Sequence, residues 1–268
     1  MARVRWQSKH VEIWHGDARE VAAQQEPGSF SLAILDGPYG MNKAAWDRMK
    51  VSDLPDWYAP HLDDVGRLCG DSATLYLWNT AEGWATLHPG IVARGWVFRV
   101  AIVWDRVSSA AAMGGGRVRW WPDCTEVCGF YQRGAPPFSP AGGSGNVWRF
   151  GLPELGAERL RTGRTLAPRI ATDRTARESV HPCQKPLAFA ERMVRASTRP
   201  GERVWAPFGG TCREAVAVET MARKDQAEAR YCVTAEIDED GRGYLDAVCR
   251  QLDGHGIAPP DPKQPALF

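Results

Sequence analysis

Apolar residues along the chain come in short runs that alternate with longer stretches of amphipathic spacing. Leu32-Ala33-Ile34-Leu35 is an unbroken apolar run, the pattern of a strand covered on both faces, and Asp36-Gly37-Pro38-Tyr39 ends it because Gly-Pro continues neither a strand nor a helix. Val11 to Trp14 alternates like a short strand. Ala73 to Trp78, Trp96 to Trp104, Thr125 to Tyr131, the residues from Val204 and Tyr231 to Asp238 read as further strands. Between them, Val51 to Leu68 places Leu54, Trp57, Tyr58, Leu62, Val65 and Leu68 three or four residues apart, which predicts a helix. Trp84 to Ala93 and Leu187 to Thr198 predict two more. Strand alternating with helix in this way predicts an α/β protein whose sheet is mostly parallel and has helices on its faces.

The pattern breaks in three places. Residues 107–121 lack periodicity and carry Gly114-Gly115-Gly116, so they read as a flexible loop or hinge. Ala135 to Gly145 is rich in Pro, Gly and Ser and reads as a loop, and Gly254 to Pro265 reads as a disordered tail. These breaks divide the chain into residues 1–106, an insertion at 107–178, a second structured part at 179–252 and a flexible tail at 253–268.

Composition narrows the classes. A chain of 268 residues with 44% hydrophobic content fits one large α/β domain or two small ones. The absence of a membrane-length apolar stretch and of a secretory leader pattern leads us to expect a soluble cytoplasmic protein. Seven cysteines scattered without a framework suit a reducing compartment, and Cys124 with Cys128 makes a poor half of a metal site, so no metal is expected. The formal charge of +1 means that any nucleic-acid partner must meet a local positive surface. Such a surface is offered by Arg159, Arg161, Arg164, Arg169, Arg174 and Arg177 against Glu158 and Asp173 in the same segment. A solvated face and a phosphate-binding face both fit that run. Arg117, Arg119, Trp120 and Trp121 nearby add the mixture of cations and aromatics that grips phosphates and stacks on bases.

Four segments carry candidate chemistry. Gly16-Asp17 follows the first alternating strand, and Asp17 fits both a helix N-cap and a ligand-binding acid at a strand end. Asp36-Gly37-Pro38-Tyr39 would lie outside the carboxyl end of a central strand, where open α/β sheets bind ligands. His181-Pro182-Cys183-Gln184-Lys185-Pro186 opens the helix from Leu187. Pro207-Phe208-Gly209-Gly210-Thr211 joins a strand to a helix, with glycines that let a ligand approach the backbone at a helix N-terminus. Glu236 then ends the next strand, where an acid accepts ribose hydroxyls. The G-x-G-x-x-G spacing of dinucleotide sites is absent, which counts against NAD.

In type and order these elements resemble the β-group amino-methyltransferases, which methylate adenine N6 or cytosine N4 of DNA from S-adenosylmethionine; the resemblance spans about residues 11 to 250. It implies a Rossmann-like methyltransferase fold with a doubly wound, mostly parallel sheet, circularly permuted motif order and an inserted target-recognition segment at 107–178. The flanking parts, 1–106 and 179–252, would be the catalytic and cofactor-binding halves. It also implies a catalytic loop of Asp36, Gly37, Pro38 and Tyr39, with Glu126 at another acidic position. Cofactor contacts would come from Asp17, Asp36, His181, Gln184, Lys185, Phe208, Gly209, Gly210, Thr211 and Glu236. Contacts to double-stranded DNA would come from Arg117, Arg119, Trp120, Arg161, Arg164, Arg169 and Arg174. Asp36 favours adenine, since the family usually pairs cytosine N4 with Ser at that position.

Three positions depart from the family pattern. Gly37 replaces the first proline of the catalytic loop, Ala206 replaces the acid that opens the cofactor loop, and Cys212 replaces its second glycine. The last two keep open a degenerate protein that binds DNA or a partner without turnover. The chain ends with Gln264, Leu267 and Phe268 in the spacing of the Gln-x-x-Leu-Phe peptides that dock on the bacterial sliding clamp. A tail folded onto its own core fits as well. A place in restriction-modification at the nucleoid and a homodimer complete the expectations.

Overall fold

A computed structural model describes residues 1–42, 45–106, 124–140, 145–151, 183–237 and 243–254. The expectations for the 107–121 loop, the arginine-rich run, His181 and the C-terminal peptide lie outside the described residues.

One nine-stranded sheet runs through the molecule in the order β1-β2-β9-β8-β3-β4-β6-β5-β7. The strands are β1 (Arg3–Gln7), β2 (Val11–His15), β3 (Phe30–Leu35), β4 (Cys69–Asn79), β5 (Val97–Asp105), β6 (Thr125–Arg133), β7 (Val147–Arg149), β8 (Arg203–Ala206) and β9 (Tyr231–Glu236). β2, β9, β8, β3 and β4 are parallel neighbours, so the sheet is mostly parallel as expected. β6 runs antiparallel to both β4 and β5, and β5 pairs parallel with β7. The helices are α1 (Ala18–Ala22), α2 (Leu54–Leu68), α3 (Ala81–Val92), α4 (Leu187–Ser197), α5 (Arg213–Lys224) and α6 (Tyr244–Leu252).

Several boundaries differ from those read in the sequence, each for a local reason. The stretch expected as helix from Val51 begins as a short 3-10 turn at Val51–Asp53, and the α-helix starts at Leu54 with Pro55 in its first turn, where a missing N–H costs nothing. α3 starts at Ala81 because Thr80 caps it, its hydroxyl accepting the Gly83 N–H at 3.0 Å. β1 alternates Val4 and Trp6 with Arg3, Arg5 and Gln7, a pattern too short to announce a strand, and is mostly exposed. It exists through its antiparallel pairing with β2, the next strand in the chain, across a three-residue connection.

The apolar run that reads as a doubly covered strand is one. Leu32 and Ile34 point into the layer built with α4, α5 and α6, and Ala33 and Leu35 into the layer built with α1, α2 and α3. β4 divides in the same way, with Tyr76 and Trp78 on the first side and Leu75 and Leu77 on the second. The two cores therefore sandwich the sheet.

Phe189 of α4 is the centre of the first layer. Its ring lies parallel to Trp78 with centroids 5.8 Å apart and meets Trp104, Trp148 and Phe150 at 5.4, 5.2 and 6.0 Å. With the ring 2% exposed, Phe189→Ala should cost about 3–5 kcal/mol in urea unfolding, shifting the midpoint without changing the slope. A loss below 1 kcal/mol would show that the ring cluster collapses around the gap.

Candidate active site

The sheet order makes one crevice special. From β3 the chain winds outward through α2 to β4, and from β8 it winds the other way through α5 to β9. β3 and β8 lie side by side, with Leu32 opposite Val204 and Ala33 opposite Trp205. Loops leaving two such strands diverge and leave a gap at their carboxyl ends, the position where open α/β sheets bind ligands. The loops 36–39 and 207–211 flank that gap, and together with Asp17, Lys185 and Glu236 they line a cavity of about 400 Å³. Strand direction brings in further groups. Because β6 is antiparallel, its amino end carries Glu126 to the same rim as the carboxyl end of β4.

Asp36, Tyr39 and Glu126, half-buried, form a polar cluster around the buried Lys185 on one side of the cavity. Lys185 Nζ donates to both Asp36 oxygens at 2.7 and 2.8 Å and to the Tyr39 hydroxyl at 2.8 Å, and it lies 3.1 Å from Glu126 Oε2. The Tyr39 hydroxyl in turn reaches Asp36 Oδ1 at 2.8 Å and Glu126 Oε2 at 3.2 Å. Burial pushes the Asp36 carboxyl above its ordinary range while Lys185 pulls it back. Burial would lower the Lys185 ammonium, but Asp36 and Glu126 outweigh it and hold the group charged above its usual value. The Tyr39 hydroxyl is raised far above the usual phenol range, first by burial and then by the two carboxylates, so it stays protonated.

The 36–40 loop is held by groups that no motif marks. Asp47, fully buried, accepts the Tyr39 and Gly40 N–H groups on one oxygen at 2.8 and 2.7 Å and the Met41 N–H on the other at 3.1 Å. The Pro38 carbonyl accepts from the Tyr58 hydroxyl and from Asn79 Nδ2, both at 3.2 Å. No hydrogen bond reaches the Gly37 carbonyl among the described residues. Gly37 is where a side chain does not fit. A Cβ there would lie 2.7 Å from the Tyr58 hydroxyl and 2.8 Å from the Phe208 ring, so the departure from proline follows from the close approach of α2 and the 207–211 loop.

Across the cavity, the glycine loop is pinned to β9. The Gly209 N–H donates to the Ala235 carbonyl at 2.7 Å, and the Gly210 N–H donates to Glu236 Oε2 at 2.6 Å. A Cβ on Gly209 would stand 2.7 Å from Thr234 Oγ1, which explains the glycine. Cys212 is buried and adopts the left-handed backbone at φ 47°, and it precedes α5 without offering a side-chain cap. In the first turn of α5, Glu214 is nine-tenths buried and lines the cavity. Burial, with Asp36 adding repulsion, raises its carboxyl from 4.5 to about 7. On the outer side Phe208 packs against Trp57, Tyr58 and His61 at centroid distances of 5.3, 6.0 and 4.9 Å.

The structure thus brings together Asp17, Asp36, Gly37, Pro38, Tyr39, Gln184, Lys185, Phe208, Gly209, Gly210, Thr211 and Glu236 around one cavity. Asp17 serves as the N-cap, accepting the Arg19 N–H at 2.7 Å, and lines the cavity as well. His181 and the arginines and tryptophan proposed for DNA lie outside the described residues. Sequence reading missed Asp47, Asn79 and Glu214 as site residues and took Tyr58 for an apolar position of a helix. The one visible signal was that Asn79 and Glu214 stand at a strand end and a first helical turn facing the rim.

A doubly wound sheet with acids on the loops of its switch point defines a class, the α/β proteins that bind nucleotide ligands at that crevice. The amino-methyltransferase structure of the PvuII DNA methyltransferase (cytosine-N4-specific) has the same fold, with a TM-score of 0.66 over 95% of this chain and 99% of that one at 14% identity. M1.HpyAVI in complex with SAM matches with a TM-score of 0.57 over 90% of this chain and 99% of that one, at 17% identity. By sequence, residues 143–242 match the DNA methylase family model for N6 and N4 methyltransferases. The chain is 25% identical over 232 residues to the type II methyltransferase M1.MboII of Moraxella bovis, covering 75% of this chain and 84% of that protein. By sequence over residues 143–242 and by fold over nearly its whole length, the chain is similar to the N6/N4 amino DNA methyltransferases.

Because Asp47 satisfies three buried-facing amides, Asp47→Ala should release the 39–41 backbone and move the Tyr39 hydroxyl off Asp36. We expect a loss of about 2–4 kcal/mol in unfolding free energy together with a sharp fall in activity. Unchanged values of both would show that the loop is held by packing alone.

Proposed function

We propose that the chain transfers a methyl group from S-adenosylmethionine to N6 of an adenine in double-stranded DNA. The observation that carries this reading is the meeting of two acid-bearing loops around one cavity, Asp36 with the unengaged Gly37 carbonyl on one side and Glu236 beside the glycine loop on the other. Those residues fit the cofactor. The Gly209-Gly210 backbone lines the cavity without a side chain in the way, and the Glu236 carboxylate that holds the Gly210 N–H lies on the same wall at a strand end, where an acid accepts ribose hydroxyls. When bound, S-adenosylmethionine supplies an electrophilic methyl group on a sulfonium.

The residues of this chain would then act on the amine. An exocyclic amine is a weak nucleophile because its lone pair is delocalised into the ring. Asp36 and the Gly37 carbonyl accept its two hydrogens, which lets the nitrogen pyramidalise and aim the lone pair in line. Lys185 holds both Asp36 oxygens and the Tyr39 hydroxyl a further lone pair on Oδ1, and a carboxylate offers about four acceptor sites, so these two groups orient Asp36 and leave it capacity for the amine. After transfer the nitrogen carries one proton too many, and burial makes Asp36 a better proton acceptor than an exposed carboxylate. Tyr39 offers a ring beside Asp36 for the base once it leaves the duplex. Arg117, Arg119, Trp120, Arg161, Arg164, Arg169 and Arg174 would grip the DNA backbone.

Adenine is preferred over cytosine on the identity of Asp36, which supports the reading because the family usually pairs cytosine N4 with Ser. The resemblance to the cytosine-N4-specific PvuII enzyme is one of fold at 14% identity and does not weigh on the base.

Radiolabelled methyl transfer to DNA, followed by nucleoside digestion and mass spectrometry, should yield N6-methyladenine. N4-methylcytosine would move the assignment to the other base, and no label would favour the binding protein without turnover. In the same assay Asp36→Ala should abolish transfer while S-adenosylmethionine still binds by calorimetry; full activity in that variant would refute the mechanism. Glu236→Ala should weaken that binding by about tenfold or more, and an unchanged affinity would mean that the ribose acid is another residue.

A further inference from the structure

The proposed reaction leaves one group in the cavity without a task. Glu214 faces the same space as Asp36, Lys185 and Glu236, is 8% exposed, and forms no ion pair among the described residues. Its nearest cations are committed elsewhere. The Arg213 guanidinium donates to the Thr211 carbonyl at 3.1 and 3.0 Å and to Gln251 at 2.9 Å, and Lys185 is held by Asp36 and Glu126. A buried carboxylate without a cation is costly, and it is retained where a ligand brings the cation.

The position of Glu214 says which part of a ligand that would be. It stands in the first turn of α5, directly behind the glycine loop, where unpaired helix N–H groups attract a carboxylate. An α-amino acid group carries its ammonium one carbon away from its carboxylate. A site for one needs an anion close to the helix N-terminus. The residue that opens the loop, Ala206, cannot provide it, since it presents a methyl group and gives its carbonyl to the Thr234 hydroxyl at 2.9 Å.

We propose that Glu214 supplies the counter-charge for the ammonium of the methionine end of the cofactor, taking over from the acid that Ala206 lacks. This rests on the reading of the cavity as an S-adenosylmethionine site. A structural alternative exists, because a glutamate in a first helical turn also favours the helix dipole and Glu214 accepts a hydrogen bond from its own amide. The two roles separate by ligand: a helix-stabilising acid affects every ligand of the cavity alike, and an ammonium partner affects those that carry the amino acid.

The test uses the full chain and two probes, S-adenosylhomocysteine, which has the amino acid end, and 5′-methylthioadenosine, which lacks it. By calorimetry at pH 8, Glu214→Gln should weaken S-adenosylhomocysteine by about 10- to 100-fold and leave 5′-methylthioadenosine within about twofold. Glu214→Asp, which keeps the charge on a shorter arm, should retain part of the preference. An equal loss for both probes, or no loss for either, would overturn the proposal. A wild-type protein that binds neither probe would overturn the cofactor reading itself.

A second measurement needs no variant. The charged form of Glu214 prevails above about pH 7, so the preference for S-adenosylhomocysteine over 5′-methylthioadenosine should rise from pH 6 to pH 8. The groups that bear on that titration are Asp36 from the loop after β3, Lys185 ahead of α4, Arg213 beside it, and the Cys212 and Cys232 thiols, which burial keeps protonated. Asp36 is common to both probes and cancels in the ratio. A flat ratio across that range would count against Glu214 as the partner.

Discussion

The short parallel pairing of β3 with β8 is the constraint on which the site depends. It spans two registered residue pairs, yet it joins segments about 170 residues apart in the chain and sets their carboxyl ends next to each other. A strand buried on both faces cannot slip by one residue without turning each side chain into the wrong core layer. Leu32 and Ile34 on one side and Ala33 and Leu35 on the other therefore lock the height at which Asp36 emerges. The same alternation on β4 fixes Asn79, which holds the Pro38 carbonyl. Core packing thus becomes loop geometry within a few residues.

Electrostatics then gives the cavity its character. The chain as a whole is nearly neutral, but the cavity wall gathers Asp17, Asp36, Asp47, Glu126, Glu214 and Glu236 against Lys185, Arg106 and Arg213. Lys185 is engaged by Asp36 and Glu126, and Arg106 stands 3.7 Å from Glu126. The remaining acids make the inner surface one that favours cationic ligands, since buried anions seek a positive partner. A ligand with a sulfonium and an ammonium would satisfy that demand twice, and release of a neutral sulfide after transfer would remove half of it.

Much of this was legible in the residues. The doubly covered strand, the helices at Leu54–Leu68 and Leu187–Ser197 and the mostly parallel sheet follow from periodicity, because burial on one or two faces writes itself directly into the pattern. The motif-bearing loops were legible because glycine and proline are placed where the backbone must turn or be approached. What escaped were residues whose role comes from distant contacts. Asp47 looks like any loop acid and Tyr58 like any core aromatic, and their hydrogen bonds to the 38–41 backbone depend on how α2 packs across the sheet. The antiparallel placement of β6 between β4 and β5 was likewise invisible, being set by pairing across the sheet.

The two departures in the glycine loop differ in consequence. A residue other than glycine in the left-handed region costs about 1–2 kcal/mol, and Cys212 at φ 47° bears that strain. Its side chain is fully buried in the first core layer, which offsets part of the cost, since each buried carbon contributes about 0.8 kcal/mol. Loop shape does not rest on that position alone, because the Gly209 and Gly210 amides are tied to Ala235 and Glu236. A cysteine can stand there without moving the backbone that faces the cavity. Ala206 is different, for it removes a charge rather than a conformation, and no backbone bond replaces a charge. The chain keeps a carboxylate on that wall all the same, in the first helical turn beyond the glycine loop, at the cost of holding it buried with no ion pair among the described residues. That expense would be hard to account for in a cavity that had ceased to bind a cation.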